Sequence, residues 1–109
     1  MMFFIQYMQD IIIKNYTDDE ITNIVLSHNG IGKNKNDVKK ILSGDSRLMC
    51  LYTLRAIKEC ELLLEFDYKG TRFSKVVYDR LKGNSITPIN IEIRDVDGEI
   101  LTSTYIKYD

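Results

Sequence analysis

Apolar residues in the first half of the chain recur at intervals of three and four. Phe4, Tyr7, Met8, Ile11 and Ile12 share one face of a helical wheel, and Gln6, Gln9, Asp10 and Lys14 share the other. That spacing predicts an amphipathic helix over residues 3–14. In "TDDE", Thr17 is placed to cap a second helix, Glu20 to close a capping box, and the aspartates to face its positive end. Ile21, Ile24, Val25 and His28 continue at helical spacing until Gly30 stops the run. Asn36 caps a short third helix carrying Val38, Ile41 and Leu42, closed by Gly44. The fourth and longest helix begins at Asp45 or Ser46. Its face gathers Met49, Tyr52, Thr53, Ala56, Ile57, Cys60, Leu63 and Leu64 within about 160° of arc.

The segment "ELLLEFDYKG" reads two ways. Leu62, Leu64, Phe66 and Tyr68 alternate as in a strand, but the helical face persists through Leu64, which favours helix to about residue 66. Thr71 then caps a fifth helix with Phe73, Val76, Val77 and Leu81 inward, ended by Gly83. The period changes at residue 86. Ile89, Ile91 and Ile93 alternate with Asn90, Glu92 and Arg94, and "DVDG" supplies a turn, so a β-hairpin closes the chain. A three-residue loop with a bulge at Gly98 pairs Ile93 with Leu101 and Ile89 with Tyr105. A two-residue Asp-Gly turn sets isoleucines against threonines, so the bulged register is preferred. The expected fold is therefore α+β and mostly helical: one domain, 1–109, with about five helices on a long central one (1–83) and a C-terminal antiparallel hairpin (86–109).

Composition adds little to that picture. At 109 residues the chain can bury a core without metal or disulfide, and a net charge of −1 does not mark a dedicated nucleic-acid binder. Fifteen isoleucines, ten lysines, seven asparagines and seven tyrosines stand against one alanine; these are residues with AT-rich codons, as in a low-GC bacterium or its phage. Cys50 and Cys60 read as buried small hydrophobes, ten residues apart on one helix and unable to pair. Gln6, Gln9 and Asp10 break the greasy N-terminus before it could span a membrane, and no basic leader precedes it. A cytoplasmic protein without membrane contact is expected.

Catalytic material is thin. His28 is the one histidine and lies beside an apolar face; with Cys50 and Cys60 it forms no close-spaced zinc pair. "GDSRL" at Gly44–Leu48 resembles, over five residues, the glycine-aspartate-serine-leucine block of the lipase and esterase family of that name. In that family the serine depends on an aspartate and a histidine near the C-terminus, and no histidine follows His28, so Ser46 has no base. Aligning Gly98 as the sixth position of an EF-hand loop puts Ile93 first and Thr104 twelfth, and both fail as ligands. "GIGK" has neither the first glycine nor the hydroxyl of a phosphate loop. No catalytic residue, metal or cofactor is expected.

The remaining signals point to binding. The expectation is a small non-enzymatic protein that covers a protein partner, such as a phage-encoded inhibitor or regulator of a host nuclease or polymerase. Tyr105 and Tyr108 on an exposable hairpin edge are its candidate interface, with a second copy of the chain as one candidate partner. The alternative is a DNA-binding transcriptional regulator with a helix-turn-helix at 18–43. There Lys33, Lys35, Lys39 and Lys40 would meet phosphates or an acidic partner. Lys69, Arg72, Lys75, Arg80 and Lys82 form a second basic cluster.

Overall fold

The computed structural model describes residues 6–30, 34–54, 59–83 and 87–106. These residues form no helix; 77% of them lie in eight strands. In chain order the strands are β1 (Gln6–Asn15), β2 (Ile21–His28), β3 (Lys35–Ile41), β4 (Ser46–Leu54), β5 (Cys60–Tyr68), β6 (Thr71–Leu81), β7 (Ile89–Val96) and β8 (Glu99–Ile106). The α+β expectation is overturned, and the helix-turn-helix over 18–43 with it, because that segment is the antiparallel pair β2–β3. The central helix is likewise replaced by β4 and β5, which lie in different sheets. Among the described residues no helix is long and apolar enough to cross a membrane.

The first sheet has the order β4-β1-β7-β8 and the second β3-β2-β5-β6. Every pairing is antiparallel except β1 with β7. The strands obey a period of two: Ile11, Ile13, Met49, Leu51, Ile89, Ile91 and Ile93 point inward from the first sheet, and Leu26, Leu62, Leu64 and Phe66 from the second. All belong to one hydrophobic cluster, so the two sheets make a sandwich around a single core. Truncating a central member such as Ile91 to alanine is worth about 2–5 kcal/mol.

The C-terminal hairpin is present, but in the register that was not preferred. Val96 pairs with Glu99, Ile93 with Thr102 and Ile91 with Thr104. The reason is local. Asp97 (φ 53°) and Gly98 (φ 84°) both take positive φ, as a two-residue type I′ turn requires, and its twist matches the strands. Ile100 and Val96 thereby take opposite roles, one buried and one exposed.

Two polar arrangements position the ends of the sandwich. Asn15 is fully buried where the chain leaves β1 for the other sheet. Its Nδ2 donates to the carbonyls of Asp19 (2.9 Å) and Ile41 (3.0 Å), and its Oδ1 accepts from the Thr17 backbone (2.9 Å) and hydroxyl (2.6 Å). Ser43 Oγ donates to the Thr17 carbonyl across the same turn. Thr17 thus organises a crossover rather than capping a helix.

At the other end, β4 is an edge strand whose backbone is covered by side chains. Asn36 donates to Cys50 O (3.1 Å), Asn34 Oδ1 accepts from Tyr52 N (2.9 Å), and His28 Nε2 lies 3.0 Å from Tyr52 O. The opposite edges are tied similarly: Lys75 Nζ donates to Ile100 O (2.5 Å) and Thr104 Oγ1 to Val77 O (2.5 Å). These bonds occupy three groups on the β4 edge and one carbonyl each on β8 and β6, groups that an added strand would use.

Candidate functional site

The lysine tetrad does not gather on a helix face. Lys33 lies outside the described residues. Lys35 and Lys39 are exposed along β3 with Asp37 between them, and Lys40 pairs with Glu20 at 3.6 Å. Along an extended strand Lys35 and Lys40 are about 17 Å apart. The second basic cluster is divided among partners: Lys69 with Asp18 (3.2 Å), Arg72 with Asp67 (3.2 Å) and Glu65 (3.9 Å), and Lys82 with Glu59 (3.9 Å). Lys75 is held by the Ile100 carbonyl.

His28 is buried and engaged at both ring nitrogens. The Gly30 N–H donates to Nδ1 (3.1 Å), which leaves Nε2 to carry the proton and donate to Tyr52 O. Neither nitrogen is free to act as a base. Ser46 is exposed at the start of β4, with no histidine near it in the pairing of that strand. Cys50 donates its thiol to Asp10 Oδ1 (3.2 Å), and partial burial, reinforced by that carboxylate, pushes the thiol above its ordinary range. Cys60 is buried on the other sheet and also raised, chiefly by desolvation. A raised thiol is a poor nucleophile at neutral pH. Among the described residues no group of three metal-ligating side chains converges.

Two outer faces remain, on opposite sides of the sandwich. The first belongs to the first sheet. Leu48, Ile12, Asn90 and Tyr105 form one register row across all four of its strands, and Tyr52 pairs with Met8 two rows away, beyond the pair Asp10–Cys50. Leu48 (57%), Met8 (52%), Tyr52 (47%) and Tyr105 (46%) all keep about half their surface in water. Next to this apolar half the face becomes charged: Lys14, Glu92 and Arg94 follow, with Arg94 4.3 Å and Lys14 5.1 Å from the Tyr16 ring centre. Tyr105, a sequence-derived candidate, is part of this face, whereas Tyr108 lies outside the described residues. Leu48, Met8, Ile12 and Tyr52 were not singled out as interface residues, because the helical reading spent most of them on buried stripes.

The second face carries an open groove of about 490 Å³ at one end of the second sheet. Lys35, Ser27, Leu63 and Val76 form a register row across its four strands and line the groove. Asn29 and Glu61 stand at its rim and are locked together: Asn29 Nδ2 donates to Glu61 Oε1 (3.0 Å), and Glu61 N donates to Asn29 Oδ1 (2.8 Å). One signal in the sequence marks both faces. In the triplets Ile11-Ile12-Ile13 and Leu62-Leu63-Leu64 the outer members are buried, so the middle residue must stand on the solvent side.

No protein-family model matches the chain, and no curated protein matches it. A solved structure does: the NMR structure of the protein from Eubacterium rectale is similar over 94% of this chain and 90% of that one, with a TM-score of 0.56 and 19% identity. At that identity the likeness is one of fold.

Proposed function

We propose that the protein is a non-enzymatic binding module that docks on a protein partner through the outer face of the first sheet. One observation carries this reading. The solvent face of a sheet is ordinarily polar, yet Met8, Ile12, Leu48, Tyr52 and Tyr105 all stand on this one, interrupted by the hydrogen-bonded pair Asp10–Cys50 and by Asn90. Tyrosine, methionine and arginine are enriched at interfaces, and Tyr16, Arg94 and Lys14 supply the polar border such a patch needs. The side-chain bonds to backbone groups of the β4, β6 and β8 edges favour docking by the face over addition of a strand to them.

The test compares the full chain with a Leu48→Glu/Tyr105→Glu variant, both first shown to be folded by circular dichroism. Affinity capture from the producing cells and solution mass are measured for each. A protein retained by the wild type and lost by the variant, or a wild-type dimer that the variant dissociates, supports the face as the docking surface. Identical captured proteins together with a monomeric mass for both would sink it.

A further inference from the structure

We propose that the groove on the outer face of the second sheet binds a medium-chain aliphatic carboxylate. The row Lys35, Ser27, Leu63, Val76 orders its chemistry across the sheet as ammonium, hydroxyl, isobutyl and isopropyl. Neighbouring strands are about 4.8 Å apart, so the step from Ser27 to Val76 is about 10 Å. A carboxylate head reaching Lys35 and Ser27 would therefore lay its alkyl chain over Leu63 and Val76.

The choice of an anion rests on which polar groups are already engaged. Among the described residues neither the Lys35 ammonium nor the Ser27 hydroxyl has a side-chain partner. Glu61, the acidic group on the rim, is held by Asn29 at both its carboxylate and its backbone N–H. Lys35 is thus the unpaired cation of the groove, and Glu61 keeps its negative charge at the rim, where the Asn29 amide fixes its carboxylate away from the Lys35–Ser27 end of the row. Apolar contact is available because Val76 is half exposed on an edge strand and Leu63 stands outward from the buried Leu62 and Leu64. A volume of about 490 Å³ lies within the range of small-ligand sites, about 300–1,000 Å³. Asp37, in the adjoining row of the sheet, repels the head from that side, while Glu65 in the same row is paired with Arg72.

The experiment titrates octanoate into the isotope-labelled full chain and follows its amide resonances, with octylamine (same tail, opposite head) and acetate (same head, no tail) in parallel. Expected are saturable shifts at Ser27, Lys35, Leu63 and Val76 with octanoate, binding at least about tenfold weaker with octylamine, and none with acetate. Lys35→Gln and Leu63→Ser, both outward-facing and checked for an unchanged urea midpoint, are each expected to weaken octanoate about tenfold or more. Equal or tighter binding of octylamine, octanoate shifts confined to the first sheet's face, or no saturable shift overturns the proposal. So does a peptide ending in a free leucine carboxylate that binds at this row while octanoate does not. Because this face is opposite the proposed docking face, the Leu48→Glu/Tyr105→Glu variant is expected to bind octanoate like the wild type.

Discussion

At the scale of single residues, the most consequential side chain is the buried amide of Asn15. It satisfies two carbonyls and two donors at the crossover between the sheets. Asn15→Ala leaves buried groups unpaired, each costing about 1–3 kcal/mol, so a drop of about 2–4 kcal/mol in urea stability is expected. Acid sensitivity sits at the same end. The Tyr68 hydroxyl, then Lys69, holds Asp18 below its ordinary carboxylate range, and the Asn23 amide, then Arg72, does the same for Asp67. Both pKa values are depressed by folding, so their stabilisation is present above about pH 4 and is lost as pH falls through the lowered values. Urea midpoints measured at pH 7 and pH 3 should differ, and Tyr68→Phe, which removes the first cause at Asp18, should narrow the gap. None of this is legible from sequence: Thr17 reads as a helix cap, nothing marks Asn15, and their partners at Ile41 and Ser43 come from a distant turn.

At the scale of elements, the hairpin turn and the edge of β4 make separate predictions. Gly98 sits at φ 84° with open space where a Cβ would go, so Gly98→Ala carries only the conformational cost, about 1 kcal/mol, visible as a small fall in thermal midpoint. The β4 edge depends on side chains from β3 and the approach to it. Removing both caps with Asn34→Ala/Asn36→Ala exposes Cys50 O and Tyr52 N. A stability loss of about 1–3 kcal/mol is expected, with association that grows with concentration in light scattering. The helical misreading also belongs at this scale. Spacings of three and four arise readily where apolar residues are dense, and here they are dense because outer faces as well as inner ones carry them. Ile12 and Leu63 fill the polar slot of an alternating strand and blur its period. The neglected signal was compositional: fifteen isoleucines, five valines and seven threonines against one alanine fit pleated strands better than helices.

At the scale of the whole molecule, the sheets are assembled from distant segments. Ile11 pairs with both Met49 and Ile89, so the central strand of the first sheet cannot be completed until most of the chain is in place. Refolding in milliseconds to seconds, measured by stopped-flow dilution from urea, is expected for so non-local a topology. The sequence by itself determined a terminal hairpin turning at "DVDG", though not its register, and Tyr105 as a surface aromatic. Those are local matters of turn geometry and residue chemistry. Only the tertiary structure decided that β1 lies between β4 and β7, which places Leu48, Ile12 and Tyr105 in one row, and that β2 lies between β3 and β5, which places Lys35 beside Ser27 and Leu63. Strand order is set by burial of a core shared across the chain, and neither outer face exists until that order is made.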